Sequence, residues 1–232
     1  RKGASKSSIL TISWCVAPNI MKNILLVNPW IYDFSAYDFG IKPVGLLRIG
    51  EFFRRKGAKV NLIDCLEGCS RHKDEYGFSK IRKEKVEKPE TLKTIERPYF
   101  RYGIPVQEFL EKISAFSDID EIYMASGMTY WYPGAHLAIK ILKERFNKTP
   151  VTLGGIYATI CHKHACQTSD ADIVWKGNYL DKNYFSQPGF YPAYDLLADK
   201  NILPIQLTSG CPFRCSYCAS RIFGSRFEMK DP

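Results

Sequence analysis

Long apolar runs are missing from this chain: no stretch approaches the roughly eighteen consecutive apolar residues that a membrane-spanning helix needs. No membrane span is therefore expected. Internal repeats and low-complexity tracts are also lacking. Cysteine is sparse for a disulfide scaffold, with eight residues in 232 where such scaffolds exceed about 8–10 %. Reduced thiols and a cytoplasmic location are the corresponding expectations. The opening RKGASKSSILTISWCVAPNI starts basic, but Ser13, Pro18 and Asn19 interrupt its apolar run and no small-residue cleavage site follows. Residues 1–20 are thus expected to be an extension and not a targeting signal.

What is present is the composition of a globular protein, 45% apolar and 25% charged, with a formal net charge of +9. Part of that charge is local. Between Arg71 and Arg101 ten Lys/Arg stand against six Asp/Glu, a surplus of four. The signs alternate and no aromatic ladder accompanies them, so a solvated surface insertion is expected and a nucleic-acid partner is not.

Along the chain, NILLVN (Asn23–Asn28) predicts a buried parallel strand, and Pro43–Gly57 has the apolar spacing and the Pro/Gly punctuation of a helix. AKVNLIDC then predicts a second strand, completing a β-α-β unit and implying a parallel sheet. The pattern fails over about 66–105, read as an insertion or long loop. It resumes with a helix at Val106–Phe116, a strand at Glu121–Ser126, a helix at Pro133–Phe146 and a strand at Pro150–Gly155. One further helix over IYATICHKHA and a fifth strand at Ala171–Gly177 complete an open doubly wound α/β domain, residues 21–180. Residues 181–203 read as a linker, and LPIQLTSG opens a new strand in a segment 204–232.

That last segment carries Cys211, Cys215 and Cys218 in Cys-x3-Cys-x2-Cys spacing. Thiolates are soft ligands for zinc, copper(I) or iron-sulfur clusters. No His or Cys follows Cys218, so a closed zinc site would need a distant fourth ligand, whereas a four-iron cluster on three thiolates keeps one iron open. Unligated or disulfide cysteines are the bland alternative. The stretch GCPFRCSYC resembles the cluster-binding signature of the radical S-adenosylmethionine (radical SAM) superfamily. That resemblance implies a [4Fe-4S] cluster on the three cysteines and S-adenosylmethionine on the open iron, cleaved on reduction to a 5′-deoxyadenosyl radical. It also implies that Phe213 and Tyr217 pack around the cluster or the adenine, and that a flavodoxin or ferredoxin supplies electrons.

The α/β portion is similar to the cobalamin (B12)-binding domain that precedes the radical SAM (β/α) barrel in many members. The marks are VNP closing the first strand, Ser126-Gly127-Met128 after the third and Leu153-Gly154-Gly155 after the fourth. Ser126, Gly154 and Gly155 would then line the cleft for the cofactor's nucleotide tail, the glycines allowing close backbone approach. Read without the resemblance, Gly154-Gly155 is a tight turn and Ser126 a strand-end cap. One mark is absent: the loop PWIYDFSAYDFGIKP holds no histidine, which excludes a lower axial ligand from that loop. The run MTYWYPG (Met128–Gly134) either walls a flat cofactor or caps the sheet. CHKHAC (Cys161–Cys166) divides its donors between two helix faces, and CLEGC (Cys65–Cys69) reads as loop or core cysteines.

Fourteen residues follow Cys218, too few for a barrel. The chain is therefore expected to hold only the first strand and cluster loop of an incomplete barrel and to be inactive alone. The leading expectation is the N-terminal part of a radical SAM enzyme performing methyl transfer or a radical rearrangement on an unknown small-molecule or peptide substrate. The rivals are a non-catalytic corrinoid- or partner-binding module with structural zinc, and an RNA-modifying methylthiotransferase.

Overall fold

Five apolar runs form one parallel sheet: β1 (Asn23–Asn28), β2 (Lys59–Asp64), β3 (Glu121–Ser126), β4 (Val151–Gly154) and β5 (Ile173–Val174). The computed structural model describes residues 21–68, 70–73, 75, 79–180, 184, 187, 189–213, 215–223 and 227–229. The expected extension 1–20, with Cys15, lies outside the described residues, as do Cys69, Arg214 and part of the expected linker. Strand order is β2-β1-β3-β4-β5, a doubly wound order whose direction reverses between β1 and β3. Successive residues of β1 face opposite sides. Ile24 and Leu26 pack with helix α1 (Val44–Arg55), and Leu25 and Val27 with α2 (Val106–Ser114) and α3 (Tyr132–Arg145).

The central strands are buried on both faces, which explains why their sequences are unbroken apolar runs. Helix α1 has Arg54 and Arg55 in its last turn, favourable at the negative end of the helix dipole. Gly57 then ends it at φ +82°, a left-handed position suited to glycine. Among the described residues α1 is the one named helix on this face, and the sheet beside it has a further cover. Leu180 and Phe190 supply it, packed with Phe52, Phe53 and Tyr123. The stretch expected as a linker is fastened to α1 by Ala193 N–H donating to the Leu47 carbonyl at 3.1 Å, and by a two-pronged Arg54–Asp195 pair at 2.7 and 2.6 Å. The guanidinium holds the Asp195 carboxyl below the usual carboxylate range.

Three local expectations differ. Region 66–105 is not a plain loop but contributes short antiparallel strands, among them Lys83–Val86 and Tyr99–Tyr102, the latter paired with Ile31–Asp33 after β1. The single helix expected after β4 is two, α4 (Gly155–Ile160) and α5 (His162–Thr168), broken where Cys161 takes φ −104°, ψ 39°. The strand expected from LPIQLTSG is confined to Thr208–Ser209, antiparallel to Glu228–Met229. Among the described residues no helix is long and apolar enough to cross a membrane.

Candidate functional site

Open α/β sheets bind ligands at the carboxyl ends of their strands, beside the point where strand order reverses. Here that point is closed. Trp131, in the loop after β3, donates its indole N–H to Asp33 Oδ2 at 3.0 Å in the loop after β1. Trp30 is 1% exposed and donates to the Ile104 carbonyl at 2.6 Å. At Gly134 an added Cβ would stand 2.0 Å from the Trp30 carbonyl oxygen, so α3 presses directly onto the β1 loop. The run MTYWYPG therefore seals the reversal point with Trp131, while Tyr130 stays half-exposed.

The open space lies one strand away. A cleft of about 170 Å³ is bounded by α1 (Leu46, Arg48, Ile49), the ends of β3 and β4 and the turn Trp175–Leu180. Gly154 and Gly155 form part of its wall, as the glycine reading requires. Gly155 has φ +89°, and an added Cβ there would meet Ser126 O at 2.7 Å and Ser126 N at 3.0 Å. This follows from a one-residue parallel bridge between Ser126 and Gly155. Gly154 is different: its backbone is extended and an added Cβ would meet nothing nearer than Met124 O at 3.9 Å. A side chain there would stand in the cleft without straining the fold. Ser126 is buried and donates its hydroxyl to the Met128 carbonyl at 3.1 Å, so it caps the strand and sets Gly155.

Sequence reasoning missed Arg48, Tyr123, Trp175 and Tyr179. Trp175 follows β5, so the strand-end rule would have found it once the strand was shortened to Ile173–Val174. Arg48 gave no signal in a helix with several basic residues. Tyr123 and Tyr179 share a hydroxyl contact at 2.9 Å, and burial with that contact and Glu121 pushes the Tyr123 phenol far up. Both hydroxyls stay protonated at neutral pH.

The three cysteines of the Cys-x3-Cys-x2-Cys loop form no disulfide; Cys211 and Cys215 are exposed and Cys218 half-buried. Cys218 N–H donates to the Cys215 carbonyl at 3.1 Å, and Ser220 N–H reaches the Cys218 sulfur at 3.5 Å. Phe213 and Tyr217 are 72% and 90% exposed, so neither ring packs into the cleft. Among the described residues no three Cys, His, Asp or Glu side chains converge as metal ligands. Cys65 is buried, Cys161 half-buried and Cys166 exposed, and they do not gather as a second set. In CHKHAC, His164 Nδ1 pairs with the Tyr157 hydroxyl at 2.6 Å, which also meets His136 Nε2 at 3.1 Å. The hydroxyl occupies the place between the two imidazoles.

Two titratable groups, one half-buried and one buried, give stability opposite dependences on pH. Burial and the neighbouring His164 lower His136 to about 4, so its contribution is present above about 6.5 and lost as pH falls through 4. Burial raises Asp64, at the end of β2, to about 6, although Asn28 Nδ2 and Leu66 N–H donate to its Oδ1 at 2.7 and 2.9 Å. Its folded pKa lies above the unfolded one, so its contribution is present below about 3.8 and lost as pH rises through 6. Asp64→Asn, which keeps the acceptor oxygen, is expected to raise stability at pH 7.5 by roughly 2–3 kcal/mol and to do little at pH 4. Urea unfolding at both pH values checks this; equal effects at the two would contradict it.

No family model matches the chain, and no curated protein matches it. Among solved structures, a cobalamin-binding protein from Desulfitobacterium hafniense is similar over 66% of this chain and 52% of that one, at 15% identity and a TM-score of 0.35. The likeness thus spans about half the length of that protein.

Proposed function

We propose that the chain joins a cobalamin-holding α/β domain to the cluster loop of a radical SAM enzyme. The observation that carries this reading is the set of three thiols, none in a disulfide, in Cys-x3-Cys-x2-Cys spacing on one short loop. Soft thiolate donors suit an iron-sulfur cluster, and three of them leave one iron open. Cys211, Cys215 and Cys218 would hold that cluster. When bound, it supplies the electron that cleaves S-adenosylmethionine to a radical able to remove hydrogen from a substrate. The protein's part is to fix three ligands and leave the fourth position open.

The cleft suits part of a cofactor and not the whole. Its volume of about 170 Å³ lies below the roughly 300–1,000 Å³ of a complete small-molecule site. An elongated tail would fit where Gly154 and Gly155 bring bare backbone to the wall. The loop after β1 contains no histidine, so that loop provides no imidazole ligand to cobalt. Anaerobic titration with hydroxocobalamin, followed by absorbance, tests this half of the reading. Saturable uptake at micromolar concentration is expected. No uptake at high micromolar concentration would remove the corrinoid role.

A further inference from the structure

The motif CHKHAC has no part in the proposed function, and the fold sorts its donors. The break at Cys161 puts Ala158 in the last turn of α4, where carbonyls look outside the helix for a donor. His162, the first residue of α5, donates its Nδ1–H to that carbonyl at 3.1 Å. A carbonyl can only accept, so Nδ1 carries the proton and the neutral ring keeps its lone pair on Nε2. Cys166 stands four residues later, on the same face of α5, with its Sγ 3.6 Å from that Nε2. His164 instead pairs its Nδ1 with the Tyr157 hydroxyl.

We propose that Cys166 Sγ and His162 Nε2 form a chelating site for zinc, with water in the two remaining positions. Thiolate and imidazole are the donors zinc takes most readily. The spacing fits as well: Zn–S of about 2.3 Å and Zn–N of about 2.0–2.1 Å, at a tetrahedral angle, set the two donor atoms about 3.5 Å apart. The observed 3.6 Å lets the ion enter with little movement of either side chain. The Ala158 carbonyl is the outer partner that fixes the tautomer and aim of a metal-ligating imidazole. Without metal the thiol donates to Nε2; on binding, that proton leaves to solvent and zinc takes its place between sulfur and nitrogen. Cys166 is exposed and His162 half-buried, so the ion has a path in and out. Neither residue lines the cleft or belongs to the cysteine loop, and the inference is independent of the cobalamin and cluster readings. Iron(II) binds such a donor pair more weakly than zinc does.

Iodoacetamide labelling of the 232-residue chain, followed by mass spectrometry of tryptic peptides, tests it with zinc sulfate as the probe. Cleavage after Lys163 separates Cys161 from Cys166, so Cys161 provides an internal reference. Zinc at about ten times its dissociation constant leaves roughly one thiol in ten unbound, so titration to about 100 µM is expected to slow labelling of Cys166 about ten-fold. Cys161 should keep its rate, magnesium should have no effect and EDTA should restore the original rate at Cys166. His162→Gln is expected to lose the protection and His164→Gln to keep it, with thermal unfolding showing that each variant is folded. Unchanged labelling of Cys166 at that zinc concentration, equal slowing at Cys161, or full protection in folded His162→Gln would overturn the proposal. The comparison of Cys166 with Cys161 in the unsubstituted chain decides the matter even where a variant fails to fold.

Discussion

Replacing any one of Cys211, Cys215 and Cys218 by alanine is expected to abolish retention of a reconstituted iron-sulfur cluster. Wild-type chain treated anaerobically with iron and sulfide should carry about four irons, and each variant close to none. The effect is all-or-none because the loop offers only these three thiolates, and two cannot hold a cluster whose remaining irons face solvent. Cys166→Ala supplies the control: Cys166 is exposed on α5 and lies outside the Cys-x3-Cys-x2-Cys loop, so its loss should leave the iron content unchanged. Iron and acid-labile sulfide analysis decides the matter. Stoichiometric zinc in place of iron would favour a closed structural site with a distant fourth ligand.

The second large effect separates two adjacent glycines. Gly155→Ala places a side chain at φ +89° and drives its Cβ to 2.7 Å from the Ser126 oxygen. Left-handed strain plus a backbone clash is expected to cost about 2–4 kcal/mol, or roughly 5–15 °C in Tm for a chain of this size. Gly154→Leu meets no such obstacle, since its backbone is extended and its nearest contact is ordinary. Its side chain should leave Tm nearly unchanged but fill the cleft, weakening hydroxocobalamin by about 100-fold, as roughly 3 kcal/mol of steric overlap implies. Thermal unfolding and the cobalamin titration, run on both variants, check the split. Equal loss of stability in the two would contradict it.

Much of the sheet was legible because its central strands are buried on both sides. Asn23–Asn28 and Glu121–Ser126 stand where their apolar runs predict, and the Pro43 and Gly57 punctuation brackets α1 closely. The antiparallel strands of 66–105 were not legible, because three or four residues with Lys83, Glu84 and Lys85 facing solvent leave no period to read. The break at Cys161 was hidden for another reason. It accompanies a hydrogen bond between Tyr157 and His164, and such a pairing is tertiary information. Phe190 and Ala193 are buried on α1 in a stretch whose Pro, Gly and Tyr content reads as a linker; composition signals turns but not what the turns cover.

The site divides in the same way. Gly154 and Gly155 could be singled out because strand ends in an open sheet are where ligands sit, and the structure puts both on the cleft wall; the three cysteines stand out by spacing alone. Arg48 and Trp175 were missed because only the packing of α1 against the turn after β5 brings them to the cleft. The closed reversal point was invisible too, since Trp131 and Asp33 meet across 98 residues of sequence.

The most direct measurement of the central claim is the electron paramagnetic resonance spectrum of the reconstituted, dithionite-reduced chain, recorded with and without S-adenosylmethionine. A cluster on Cys211, Cys215 and Cys218 with one open iron predicts a reduced-cluster signal whose g-values shift when S-adenosylmethionine is added. A cluster signal unchanged by S-adenosylmethionine, or a silent spectrum with zinc bound, would contradict the account.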